Sequence, residues 1–245
     1  MSAGTFSLMP GPPTPGVDAG PNFAGTVGAG VLSGFTAVTS LYYDTASRVK
    51  GAPIAVVQDA YMRACRDFCR LTEWLKRNIT DTALTINQPT YNFGADPALE
   101  VIGVHAAMIQ QQNLTWVGLR PMDQAQADPN MKSDLPNWYS YLPEGMIVYY
   151  PAPNLAYLAR VELIVQTALA AVQVPNDLVN RFNLYLEAGA LWHLYLMDKE
   201  PWFNPILAKQ AEDRFNEGVA NARSMKDRGN QRGSVRATPR PFVSR

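Results

Sequence analysis

The chain has 245 residues, 47% hydrophobic and 17% charged, enough for one folded domain with a substantial core. Its 21 basic and 21 acidic residues cancel, which excludes a strong overall field toward nucleic acid or membrane. The balance hides an asymmetry: residues 226–245 carry six basic groups and one acid, so a body at −5 precedes a tail at +5.

Residues 1–35 hold eight of the 17 glycines and five of the 19 prolines. Glycine raises the entropy cost of ordering and proline removes donors, so residues 1–50 are predicted to be a flexible arm that orders only against a partner. The uncharged run at 19–43 contains FAGTVGAGVLSGFTAV, too diluted by Gly, Ser and Thr for a membrane span. No Lys or Arg precedes Arg48, so the basic region of a signal peptide is not expected. The GAG at 28–30 lacks the strand before and helix after that a phosphate loop needs.

At Pro53 the pattern changes. Ile54, Val57, Tyr61, Ala64, Phe68, Leu71 and Leu75 recur at spacings of three and four, which predicts an amphipathic helix over 53–78 with Pro53 at its start. Trp74 and Cys69 lie off this stripe, so the helix is expected to be covered on more than one side. Cys65 and Cys69, the only cysteines, fall four apart on that helix, a poor geometry for a disulfide; they read as apolar thiols.

From Thr80 the period shortens toward two. Leu84 and Ile86 alternate with polar residues; residues 99–109, 146–150 and 160–166 are apolar and β-branched. These four strands predict a small, mostly antiparallel sheet. Residues 119–142 read as a long connection with a short helix near 121–127 and an aromatic cluster, Trp138, Tyr139 and Tyr141. These three are candidate interface anchors, or cover for their own sheet, because flat amphipathic side chains lose little freedom on contact.

Helical spacing returns over 176–198, with two apolar faces and Gly189 positioned for close backbone approach. Pro201 discourages continuation; Trp202 sits at the break; Asn204 is a good N-cap and Pro205 a good first helical residue. WFNP is therefore a tight helix–helix corner. Phe203, Leu207, Ala211, Phe215 and Gly218 predict the inner face of a closing helix that ends near 222–225. The expected fold class is α+β: a bundle of long terminal helices with an inserted small antiparallel sheet. The expected organisation is an arm at 1–50, a body at 51–225 with the sheet at 80–168, and an extended basic tail at 226–245.

Four passages in this order carry a family resemblance: PIAVVQDAYMRACRDFCRLTEWLKRNI, PTYNFGADPALEVIGV, IVYYPAPN, and VPNDLVNRFNLYLEAGALWHLYLMDKEPWFNPILAKQAEDRF. Together they resemble the head–tail adaptor (neck connector) proteins of tailed bacteriophages over roughly residues 51–225. The resemblance implies a non-enzymatic virion protein without cofactors, assembled from host cytoplasm into the neck. It implies a homo-oligomeric ring, usually of twelve subunits, between the portal protein and tail or nozzle proteins. Double-stranded DNA would pass through its lumen without sequence-specific contact, and no membrane is involved. Arg228, Arg232, Arg236, Arg240 and Arg245 would then bind the portal, their guanidinium forks matched to carboxylates.

Catalytic alternatives find little support. His105 and His193 are the only histidines and each sits in an apolar element; with the cysteines they lack zinc-site spacing. Glu212, Asp213 and Glu217 share the closing helix with Lys209 and Arg214, a solvated and partly paired face rather than an acid–base dyad. G-x-S-x-G, the P-loop and H-E-x-x-H are all absent. A phage hydrolase acting through Glu187 or Glu217, another neck ring (head-closure or tail-terminator) and a small-molecule binding module remain as alternatives.

Overall fold

The computed structural model describes residues 34–94, 96–123 and 132–227. In chain order the elements are β1 (Phe35–Ala37), α1 (Tyr43–Arg48), α2 (Ile54–Thr72), β2 (Lys76–Ala83), β3 (Thr90–Asn92), β4 (Leu99–Gln110) and β5 (Trp116–Gly118). They continue with β6 (Arg120–Pro121), β7 (Trp138–Leu142), β8 (Met146–Tyr150), β9 (Leu158–Thr167), β10 (Gln173–Pro175), α3 (Asn176–Tyr195) and α4 (Pro205–Asp227). The fold class is α+β, with long helices and small, mainly antiparallel sheets.

Each long helix forms around a buried stripe. In α2 a buried stripe runs through Val57, Ala60, Tyr61, Ala64, Cys65, Phe68, Cys69 and Thr72, alternating spacings of three and one, and Met62 is buried beside it. Helix α3 has a buried stripe through Leu178, Phe182, Leu186, Ala190 and Leu194, and is buried all round over 186–191. Helix α4 offers small residues, Ala208, Ala211, Gly218 and Ala222, around Phe215, so it lies close to α3. Phe68 joins all three helices: its ring lies 4.9 Å from that of Phe182 and 6.1 Å from that of Phe215.

The strands form more sheets than periodicity predicts. One four-stranded sheet has the order β2-β9-β4-β5, a second has β3-β8-β7-β6, and β1 pairs with β10 in a separate ribbon. All pairings are antiparallel except β6 with β7. Strand β9 is half-covered at its start, with Ala159 and Val161 inward and Arg160 and Glu162 outward; from Leu163 to Thr167 it is buried on both faces. There it meets the helices, where Val165 donates its N–H to Leu75 O at 3.0 Å. The sheet is therefore rooted in the helical layer at one end and projects from it at the other. Buried side chains from both large sheets and the helices form one continuous cluster.

Four sequence expectations differ from this structure. Helix α2 stops at Thr72, not near 78, because Glu73 adopts a left-handed φ of 49° and donates its N–H to Cys69 O. The stripe overruns because Leu75 is still buried, at 1% exposure, although it enters the core from the connection. Leu84 and Ile86 lie in the turn after β2 rather than in a strand; Leu84 is buried and Ile86 half-exposed. The connection at 119–142 contains β6 and β7, and residues 124–127 of the short helix expected there lie outside the described residues. Residues 35–49, which composition places in the arm, are packed on the body: Val38, Tyr42, Thr45 and Val49 are buried. The glycines and prolines of the arm all lie at or before Gly34, and from there Val38, Tyr42, Thr45 and Val49, spaced three and four apart, give the segment a face to bury.

Candidate assembly surfaces

The end of α4 is tied to the end of α2. Arg223 donates from Nε and Nη2 to Leu71 O at 2.9 and 2.7 Å, and Lys226 Nζ donates to Thr72 O at 3.4 Å and to Glu73 Oε2 at 2.7 Å. The last carbonyls of a helix lack internal partners and carry its negative pole, so two cations there satisfy and neutralise them. The Lys226 hydrogen bond holds the Glu73 carboxyl below its ordinary range. The point at which residues 228–245 begin is thereby set beside the root of the sheet. Arg228, Arg232, Arg236, Arg240 and Arg245 themselves lie outside the described residues.

The aromatic cluster is strand β7, in register with β8: Trp138 faces Tyr150, Tyr139 faces Tyr149 and Tyr141 faces Ile147. Tyr139 is 6% exposed and belongs to the core. Trp138 and Tyr141 are half-buried, and Tyr141 Oη donates to Val101 O at 2.9 Å. Only these two keep surface to offer a partner.

At the helix corner, Asn204 N–H donates to Tyr195 O at 3.1 Å, and Asn204 Oδ1 accepts from the N–H groups of Ile206 and Leu207, each at 3.1 Å. The side chain thus fills the N-cap role, and Pro205 lies where an amide donor has no helical partner. Asn204→Ala should cost about 1 kcal/mol of stability, read from a denaturant melt; an unchanged midpoint would show the cap to be idle. Trp202 packs against the core beside Pro201. Phe203 and Leu207, expected on the inner face of α4, are instead 43% and 39% exposed. The inner stripe begins at Ala208 because the cap turns the chain before the helical phase is established.

Titratable groups serve the fold. His193 Nε2 lies 3.2 Å from Asp67 Oδ2, and this contact lowers the Asp67 pKa. His105 lies 3.7 Å from Glu162. Cys65 and Cys69 are fully buried; burial raises both thiol pKa values, that of Cys69 to about 12, so neither is a ready thiolate. Glu187 is buried, its pKa raised by desolvation and by Asp44, while Asn183 Nδ2 donates to it at 2.5 Å. Glu217 is exposed on α4, and Lys209 pairs with Glu212 and Asp213. No group of three or more His, Cys, Asp or Glu able to hold a metal occurs among the described residues. No described helix is long and apolar enough to cross a membrane.

Sequence reasoning missed two surface features. The Arg223–Lys226 lock joins residues about 150 apart, and its only local signal is a pair of cations in the last turns of a helix. The other is the β4–β5 turn, where Leu114 has φ 64° and is 74% exposed. The sequence QQNL, with a bulky apolar residue beside Asn in a hairpin turn, is its signal.

Paired surface charges, histidines beside carboxylates and apolar side chains exposed at a corner and a turn are features suited to a subunit that docks onto others. Comparison with known families agrees: the chain belongs to the SU10 adaptor protein family, whose profile matches residues 36–240. No match is found among curated proteins. The matched span begins within β1, so it includes the packed segment before α2, and it reaches Arg240 in the basic tail. The protein is accordingly a non-enzymatic structural component of a bacteriophage virion, an adaptor in the neck that links portal and tail.

Proposed function

We propose that the adaptor works as a closed ring, of twelve copies, bound to the portal through its C-terminal arginines and to tail or nozzle proteins on its other side. DNA passes through the lumen. The observation that carries this reading is the Arg223–Lys226 lock, which launches every tail from the same place on a rigid body. Residues 228–245 hold five arginines and no acid, a chemistry suited to carboxylate-lined grooves. Identical launch points let a ring engage a ring with every tail at once, so that weak single contacts multiply. The body preceding residue 226 carries a net −5, which suits a wall past which phosphates must slide without release of bound counterions. Trp138 and Tyr141 are proposed contacts on strand β7 of the second sheet, and residues 1–33 are proposed to lie on a neighbouring subunit or a tail component. Assembly takes place in the host cytoplasm.

Deleting residues 228–245 tests the portal contact. Exposed ion pairs are worth about 0.2–1 kcal/mol each, so losing five should weaken attachment of a single subunit by about 5-fold to 4,000-fold. The wild-type protein should lose affinity similarly on raising salt. Equal portal binding by the full and shortened chains, measured by co-sedimentation at low salt, would reject the assignment.

A further inference from the structure

Residues 35–49 form a strap laid along α3. At one end Gly34 O accepts the N–H of Asn176, the first residue of α3, and Val38 N–H donates to Val172 O, both at 3.0 Å. At the other end Arg48 lines a cleft with Tyr195, the last residue of α3. The strap thus runs the length of a 20-residue helix, about 30 Å, which is about the width of a small domain. Its ladder to the body is β1, three residues long, and Thr36 Oγ1 adds a 2.5 Å bond to Asn176 Oδ1. Among the described residues no ion pair ties it down: Asp44, Arg48 and the following Lys50 make none.

The seat is imperfect. Val38, Tyr42 and Val49 are buried, but Thr45, 0% exposed, has a hydroxyl with no hydrogen-bond partner among the described residues. A buried hydroxyl left unpaired costs free energy. Beneath the strap, burial first and then the like charge of Asp44 push the Glu187 carboxyl up, which Asn183, Arg48 and Arg214 only partly offset. These features lower the cost of release. A vacated seat would expose the apolar surface under three buried side chains, so the strap cannot leave without a replacement. The segment that restores every contact is the same strap from another copy.

The connection to α2 suits such an exchange. Lys50, Gly51 and Pro53 are exposed, and a Cβ added at Gly51 would meet nothing within 4 Å, so the turn is not packed in place. Gly51 has a φ of 91°, which the closed turn requires, while Ala52 precedes a proline, whose ring biases its neighbour toward extended backbone. The same four residues therefore serve a folded-back path and a straight one. Exchange of an identical element across a short hinge keeps all of its contacts and is a low-cost route to assembly. In a ring the next copy holds its own seat at a fixed short distance, so a released strap meets it at high effective concentration.

We propose that in the assembled ring the strap of each copy turns about Gly51 and seats on β10 and α3 of the next copy, closing the circle by exchange. The inference rests on the ring reading and carries residues 1–33 onto the neighbour. Ala37 and Gln173 are directly opposed across β1 and β10 and both are exposed, whereas Cys65 and Cys69 are fully buried. The full-length chain with Ala37→Cys and Gln173→Cys can therefore join strap to seat by a disulfide. Oxidised as the dilute free chain, it should run as a monomer on a non-reducing denaturing gel, its two new thiols joined. Oxidised after ring formation on portal, it should run as a ladder of covalent multimers, with the monomer band down at least about tenfold. Chain oxidised before portal is added should give at least about tenfold fewer rings by electron microscopy, and reductant should restore them. Rings that yield only monomer, or a locked chain that assembles as well as the reduced one, overturn the exchange and leave the ring reading standing. New thiols that stay unjoined in the free chain overturn the seat from which the exchange starts. A wild-type protein that stays monomeric on portal overturns the ring and the exchange together.

Discussion

Gly189→Ala should destabilise the adaptor by about 2 kcal/mol, despite alanine's better helix propensity. A Cβ at this position would lie 2.6 Å from Phe215 Cδ2 and 2.9 Å from Ala64 Cβ. Carbon atoms pack best at about 3.5–4.0 Å, so the added methyl overlaps both neighbouring helices. Ala64 has no rotamer with which to retreat, and Phe215 is 1% exposed and set among Phe68 and Trp192. Relief therefore requires α2 or α4 to move away from α3. Overpacking of this kind costs about 1–3 kcal/mol and occasionally more, against about 1 kcal/mol recovered from propensity, so the clash prevails. At Gly218 the added Cβ would fall 2.3 Å from Tyr185 Cγ and 2.5 Å from Tyr185 Cβ, and no rotation of the side chain moves the latter. Gly218→Ala should consequently be destabilising for the same reason, since relief there requires α3 and α4 to separate. For a chain of this size the Gly189 change corresponds to a melting temperature lower by about 4–8 °C. A Gly189→Ala protein as stable as wild type would mean that α2, α3 and α4 do not approach as closely as this.

What could be read from the chain in advance depended on how local its cause was. The corner at Pro201–Pro205 was legible because cap and break are properties of adjacent residues: Asn204 accepts from amides two and three positions ahead. The strands at 99–110, 146–150 and 158–167 were legible because each is long enough to show an apolar pattern. Strands β3 and β6 have three and two residues, too few to display a period, so the division of the strands into two sheets has no signal in the sequence. The end of α2 was hidden for a different reason. Thr72 turns its hydroxyl back to Phe68 O and accepts from Trp74 N–H, ending the helix, while Leu75 continues the apolar spacing. Burial and helicity, which periodicity treats as one signal, part company there. Among the surfaces, the charge of the tail was plain from composition, but the lock that aims it depends on Arg223 finding Leu71, and no local pattern reports such a pairing.

Phe68→Ala should cost more than any other substitution considered, about 3–5 kcal/mol. Phe68 is fully buried where the three long helices meet. Removing its ring leaves a cavity lined by Phe182, Phe215 and their neighbours, and these are themselves held: Phe182 packs edge-on to Trp74 at 4.9 Å, and Trp74 Nε1 donates to Asp177 at 2.7 Å. A site braced in this way collapses little, which places the loss toward the upper part of the range. Domains are stable by about 5–15 kcal/mol, so this one change removes a large part of the total. Phe68→Leu, which keeps much of the volume and all of the apolar character, should lose markedly less. The consequence for assembly follows from geometry. The end of the same helix holds Arg223 through Leu71 O and leads within three residues to the root of the sheet at Leu75, so loosening α2 frees the sheet and the tail together. Phe68→Ala should therefore impair ring formation and portal attachment in parallel, whereas tail deletion should affect chiefly the second. Denaturant melts joined to portal co-sedimentation would separate the two, and a Phe68→Ala protein with wild-type stability would place the centre of the core elsewhere.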